Sequence, residues 1–346
     1  MSKNPNFSKW GRCCFASVLM MIVVYLLLAM LYMYMKKRIP IEYLPNSTMV
    51  KLEAIFSGEV KKTSFIMGSS RVGALHPKRN KWIEEYYLLN VASSAPCIYL
   101  RHIKWLLYKH VAIKNILIGV DNISYLSGTT PVITYVRKMP YAYLIDYYRE
   151  YLLFQIKLPE ALIGFFLSKA GKNIHYDKDT GARTEVGQDE WIEKHQQQHR
   201  CSPDFEKLPK INYGADKVDL AISDIKDIVD ICRENNIHLT IFINPMHGKV
   251  YRHLDKSKHY RFLKKLAGVT DFYDFSGVNH ITTDNYYYYE TNHYRPLVGD
   301  MIVKRLFEKE KIKQTDFGFY CTSKNINAHV NSLRKSESKA SQPQAQ

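Results

Sequence analysis

Residues 64–73 read SFIMGSSRVG, a short strand-like apolar run that ends in a glycine, two serines and an arginine. A turn made of glycine and serine is the ordinary way to end a strand. The same residues also suit a nucleophile. A serine hydroxyl held at the tip of a buried strand, beside backbone amides that point outward, has an oxyanion site built in. What the rest of the chain supplies separates the two readings.

Around this stretch the chain alternates helical and strand-like segments. NSTMVKLEAIFSGEV (46–60) has a helix-start signal at Asn46–Thr48 and apolar residues at helical spacing, and it leads into a strand at Thr63–Met67. LRHIKWLLYKHVAIK (100–114) is amphipathic and precedes the apolar run NILIGV (115–120); DKVDLAISDIKDIVDICRENN (216–236) precedes IHLTIFINP (237–245). Helices alternating with single buried strands predict a parallel sheet covered on both faces, an α/β fold whose chemistry lies at the carboxyl ends of its strands. The domain is expected over about 45–315, with an insertion at about 125–215 that breaks the alternation. Within the insertion, LPEALIGFFLSKA (158–170) is too short an apolar run to span a bilayer, and the polar segment 171–200 suits a lid or loop. His195 and His199 have helical metal-ligand spacing, but the glutamine-rich surround reads as solvated polar chain, and no metal or cofactor is expected. From Thr322 to Gln346 the sequence reads as a flexible tail.

After a short N-terminal segment (1–14), residues 15–35 carry no charge, enough to span a ~30 Å hydrocarbon layer at ~1.5 Å per residue. Large side chains continue to MKKRIP, so the run reads as an uncleaved transmembrane anchor rather than a signal peptide. Lys3, Lys9 and Arg12 on one flank are matched by Lys36, Lys37 and Arg38 on the other, which leaves the orientation open. The net charge of +16 is scattered, without a zinc-finger spacing or an aromatic RNA-binding signature. Attraction to anionic lipid or an anionic polymer explains it better than nucleic-acid binding. The six cysteines show no C-x-x-C spacing and no disulfide scaffold.

The second informative stretch is YYYYETNHYRPLVGDMIVKRLF (286–307). Glu290 stands three residues before His293, just ahead of a helix with Val298, Ile302, Val303 and Leu306 on its apolar side. An acid so placed can hold the imidazole in one tautomer while the ring reaches a serine. The tyrosines suit stacking on sugar rings and equally suit packing at a sheet edge.

GSSR and ETNH in this order, with IFINPMHGKVY (241–251) and DFYDFSGVN (271–279) between them, resemble the blocks of the SGNH or GDSL-type hydrolase superfamily. Within it they are similar to the membrane-anchored branch that includes proteins of alginate O-acetylation and teichoic-acid D-alanylation. The resemblance implies a three-layer α/β/α sandwich with a mainly parallel sheet. It also implies a serine nucleophile at Ser70 after Gly68, with Ser69 as the rival, His293 as base and Glu290 as the orienting acid. Arg71 and His247 are candidates for lining the same cleft. The family's third block ends in an asparagine that donates to the oxyanion, but here GVDN puts Asp121 there, and an ionised carboxylate cannot donate. Asn122 or backbone amides are the substitutes. The second block normally has an oxyanion glycine, yet LNVASSAP offers only Ser93 and Ser94.

The resemblance implies an envelope protein of the cytoplasmic membrane, with its domain facing the periplasm or cell exterior. Its expected role is acyl-ester hydrolysis or O-acyl transfer on a cell-surface polysaccharide or other anionic polymer, with a membrane-bound O-acyltransferase as candidate partner. The altered second and third blocks favour a different class, a non-catalytic scaffold of the same fold that binds the polymer or the acyltransferase.

Overall fold

A computed structural model describes residues 5–36, 47–91, 94–126, 174–185, 187–208, 215–308 and 317–340. The apolar segment 158–170 and Ser93 lie outside these residues. The chain divides into two compact units, residues 1–50 with 144–172, and residues 51–143 with 173–346. In the first unit the described element is a long helix, α1 (Pro5–Lys36), with exposed apolar side chains from Phe15 to Leu27. Among the described residues, no helix is long and apolar enough to cross a membrane.

The second unit holds a six-stranded sheet. Its strands are β1 (Ser64–Gly68), β2 (Tyr86–Asn90), β3 (Asn115–Val120), β6 (His238–Ile243), β7 (Phe272–Asp274) and β8 (Phe319–Cys321), in the order β2-β1-β3-β6-β7-β8. A separate antiparallel hairpin pairs β4 (Ile174–Tyr176) with β5 (Arg183–Glu185). All neighbours in the large sheet are parallel except β7 and β8. The order reverses direction at β1, which places a crevice outside the carboxyl ends of β1 and β3, where open α/β sheets carry their ligands. The stretch SFIMGSSRVG ends at that crevice. β1, β3 and β6 lie where the helix–strand alternation predicted them, within a residue or two; β2, β7 and β8 add to it.

Strands buried on both faces explain the uninterrupted apolar runs. One face of the sheet contributes Ile66, Leu88, Leu117 and Phe242 to a core with Val298, Ile302, Val303 and Leu306, the apolar side of α6 (Pro296–Phe307). The alternate residues Phe65, Met67, Ile116, Ile118, Ile241 and Ile243 are buried too. Helix α3 (Pro96–Tyr108) packs on α4 (Val218–Glu234), α4 on α5 (Lys256–Ala267), and α5 on α7 (Ile326–Ala340). The remaining long helix, α2 (Ser47–Phe56), precedes β1. The edge strand β2 is not bare, since the Leu88 amide donates to the Thr180 carbonyl and the Leu88 carbonyl accepts from Lys51.

The segment read as a flexible tail is a correction. β8 pairs with β7, and α7 follows with Ile326, Val330 and Leu333 buried. These three residues form a narrow stripe at helical spacing within an otherwise polar sequence. Beside them, buried His329 donates from Nε2 to Asp274 Oδ2 at 2.8 Å. Burial works to raise the Asp274 carboxyl, but the His329 bond and charge, with His259 and Ser276, outweigh it and hold it below its ordinary value. Within the polar segment, residues 174–185 and 187–200 are likewise folded, and His199 is buried, donating from Nε2 to the Tyr288 carbonyl at 2.7 Å. Among the described residues, no disulfide joins any of the cysteines.

His329→Ala removes a bond to a buried charge, so it is expected to destabilise the domain by roughly 1.5–3 kcal/mol. Urea unfolding of the full chain checks this, and a flexible tail would instead leave the midpoint unchanged.

Candidate active site

The chain leaves β1 at Gly68 and turns at once into a single 3-10 turn, Ser70–Ala74. The turn folds back so tightly that a Cβ on Gly68 or Gly119 would sit 2.4 Å from the Val72 Cγ1 atom, so neither strand end accepts a side chain there. α6 presses on the same turn, and a Cβ on Gly299 would meet the Ala74 carbonyl oxygen at 2.2 Å.

The turn sorts the two serines. Ser69 is buried and its Oγ accepts the Arg71 amide at 3.2 Å, capping the turn. Ser70 is partly exposed and faces a cleft of about 460 Å³, which Gly73, His76, Asn90, Tyr289 and His293 also line. Its Oγ lies 2.8 Å from His293 Nε2. His293 Nδ1 is 2.5 Å from Glu290 Oε1, and the Asn292 amide donates to Glu290 Oε2 at 2.6 Å. Burial works to raise the Glu290 carboxyl. The bonds from His293 and the Asn292 amide, with the charges of His293 and Arg71, outweigh it and hold the carboxyl below its ordinary value. An ionised Glu290 only accepts, so Nδ1 carries the imidazole proton and Nε2 presents a lone pair to the Ser70 hydroxyl. Ser70, His293 and Glu290, separated by more than two hundred residues of chain, thus form one hydrogen-bonded line.

Arg71 does not line the cleft as a free cation. Its guanidinium is almost fully buried, and it donates through Nη1 to Asp121 Oδ1 and Asn122 Oδ1, both at 2.8 Å. Through Nε and Nη2 it holds the backbone carbonyl and side-chain oxygen of Asn292, both at 2.7 Å. Asp121, at the position where the family pattern has an oxyanion asparagine, is therefore the counter-ion of Arg71, and Asn122 turns its oxygen to the same group. Ser94 is buried with its hydroxyl 3.2 Å from the Gly68 carbonyl and 2.8 Å from the Tyr99 hydroxyl, a brace behind the end of β1.

His247 is a capping residue. Its Nδ1 accepts the Lys249 amide at 3.3 Å and its Nε2 donates to Asn285 Oδ1 at 2.9 Å. Of the tyrosine run, Tyr288 is buried and the Tyr286 ring carries the guanidinium groups of Arg295 and Arg200 at 4.7 and 5.0 Å. Tyr289 alone of the run lines the cleft, with its hydroxyl donating to Asp189 Oδ2 at 2.9 Å. His195 stacks on Trp191.

Sequence reasoning missed Asn292, Asn90 and Lys51. Asn292 lies inside the ETNH block, between acid and base, where its role as the Arg71 anchor has no sequence signal. Lys51 is buried and donates from Nζ to the Leu88 carbonyl and to Asn90 Oδ1, both at 2.9 Å, and burial pushes its ammonium down to about 7. A lone lysine on an amphipathic helix reads as solvated, so only the fold exposes it.

Two outcomes follow from this geometry. Asp121→Asn, although it restores the residue of the family pattern, removes the anion that pairs with a buried guanidinium; it is expected to cost roughly 3–5 kcal/mol in urea unfolding and to bring no gain in activity. Glu290 has a folded-state value below its ordinary 4.5, so its bonds add stability in full above that pH, and that stability is lost as pH falls through the lowered value. Glu290→Gln should therefore flatten the acid side of a stability-against-pH profile, and an unchanged slope would contradict the assignment.

No protein-family model matches the chain, and no curated protein sequence matches it significantly.

Proposed function

We propose that the protein is a membrane-anchored, extracytoplasmic SGNH-like acyl-ester hydrolase or O-acyltransferase that acts on a cell-surface polysaccharide or related polymer. The observation that carries this reading is the line Ser70 Oγ, His293 Nε2, Glu290 at the carboxyl end of β1, with 2.8 Å between hydroxyl and imidazole. The strand order, with its reversal at β1, and helices packed about a mostly parallel sheet are what the three-layer SGNH arrangement requires. The uncleaved anchor in the cytoplasmic membrane rests on the uncharged sequence of residues 15–35 alone, since no described helix, α1 included, is long and apolar enough to cross a membrane.

In this mechanism Ser70 Oγ attacks the acyl carbonyl carbon as its proton passes to His293 Nε2, and the carbonyl electron pair moves to oxygen. Collapse of the tetrahedral species breaks the ester bond, and the departing alkoxide takes the proton from His293. The acyl group is then on Ser70. An acceptor hydroxyl gives its proton to the same Nε2 and attacks the acyl carbon, and collapse returns Ser70 with its proton. A polymer hydroxyl as acceptor makes the protein a transferase, and water makes it an esterase. Glu290 keeps Nδ1 protonated and stabilises the imidazolium between the two proton transfers.

A scaffold that keeps this fold to bind a surface polymer or a membrane acyltransferase partner is the second reading, favoured by Asp121 at the asparagine position. The buried pairing of Asp121 with Arg71 weakens that argument, since the substitution then has a structural reason.

Ser70→Ala should abolish labelling by a fluorophosphonate probe while the protein stays folded. His293→Ala should lose as much, with no further loss in the double variant, because nucleophile and base act as one unit. Normal labelling of Ser70→Ala would remove the enzyme reading. In spheroplasts, added protease should digest the domain while cytoplasmic controls survive; a protected domain would reverse the orientation.

A further inference from the structure

The proposed reaction lacks one part, a side-chain donor for the oxyanion: Asp121 is the counter-ion of Arg71, and Asn122, whose Oδ1 also accepts from Arg71, is buried with its Nδ2 unpartnered and does not line the cleft. The cleft supplies another asparagine. Asn90 ends β2, and its Cα is the register partner of Gly68, two residues before the nucleophile. It is partly exposed and lines the cleft together with Ser70 and His293.

The orientation of its amide follows from hydrogen-bond chemistry. Lys51 Nζ, buried beneath the strand, reaches two oxygens at 2.9 Å, the Leu88 carbonyl and one side of the Asn90 amide. The Leu88 carbonyl only accepts, Lys51 donates to both contacts, and its ammonium has no lone pair with which to accept. The atom of Asn90 that faces Lys51 is therefore its oxygen, and the NH₂ group points the other way. That nitrogen would be 3.7 Å from a Cβ built on Gly73, within the turn that carries Ser70. Among the described residues, no protein acceptor holds it.

We propose that Asn90 is the catalytic side-chain donor to the tetrahedral oxyanion, taking the place of the missing third-block asparagine, and that Lys51 is the positioning residue that keeps its NH₂ group turned toward the cleft. This rests on the acyl-transfer reading above. In the attack step no bond to Asn90 forms or breaks. The hydrogen bond from its N–H to the carbonyl oxygen shortens as that oxygen takes the electron pair, which is where a fixed dipole lowers the barrier. Lys51 in turn makes a flip of the amide unfavourable, because a flipped Asn90 would set an NH₂ group against an amine and a carboxamide oxygen against the developing anion.

The test uses the full chain in detergent micelles, with p-nitrophenyl acetate hydrolysis and the rate of fluorophosphonate labelling as readouts. Asn90→Asp keeps the shape and the acceptor for Lys51, so it should fold as the wild type does. It loses the donor, and kcat should fall by about 10²- to 10³-fold with little change in KM. Asn90→Ala should show a fall of similar kind. Lys51→Met should lower kcat less than Asn90→Asp does, and this effect should vanish in the Asn90→Ala background, whereas a merely structural lysine would add its loss to that of Asn90. If the wild type is labelled at Ser70 but both Asn90 variants react at the wild-type rate, the proposal is overturned and the acyl-transfer reading stands. If the wild type is not labelled, the acyl-transfer reading falls and the proposal with it.

Discussion

The site depends on a buried cation. Arg71 follows Ser70 directly in the chain, so where its guanidinium settles decides where Ser70 points. Removing such a charge from water is costly unless its donors are met. Here four oxygens meet it, one on Asp121, one on Asn122 and two on Asn292. Those residues come from the end of β3 and from the loop before α6, so one side chain ties the Ser70 turn to both. The loop it grips is the one that bends Glu290 and His293 toward each other. The geometry of the hydroxyl and imidazole is then a consequence of charge burial several ångströms away rather than of their own weak attraction.

This arrangement gives a physical reason for the acidic residue in the GVDN block. An asparagine at residue 121 would leave the guanidinium with neutral acceptors only. An aspartate provides the counter-charge and cannot also serve an oxyanion. Asp121 in the GVDN block and the arginine after the serine form one buried charge pair, and neither can be interpreted alone.

The frame of the fold was legible because strands buried on both faces are written as near-continuous apolar runs: NILIGV is apolar after Asn115, and the strand within IHLTIFINP carries only His238 and Thr240 at its less buried start. FYD at β7 and FYC at β8 are three residues each and carry no period at all. α7 was missed for a related reason, since Ile326, Val330 and Leu333 are too few to stand out among lysines and serines, and their burial depends on α5 as a partner. In the candidate site, Ser70, His293 and Glu290 were legible because their chemistry restricts the residue types at fixed local spacings. The resemblance already favoured Ser70 over Ser69, and the turn that buries Ser69 as a cap gives the physical reason. Arg71, Asn292, Asn90 and Lys51 act through contacts across the fold, which leave no mark at short range in a sequence.

The antiparallel edge strand β8 and the helix α7 behind it bear on the order of folding. Both follow every other strand in chain order, and through His329 α7 holds Asp274 at the end of β7. Until they arrive, β7 has an open edge and Asp274 lacks its imidazole partner. The parallel core of β1, β2, β3 and β6 can assemble from the chain already made, but the domain closes only once β8 and α7 have been added. A nascent chain that stops short of β8 would present an unpaired strand to whatever chaperone or membrane surface meets it first.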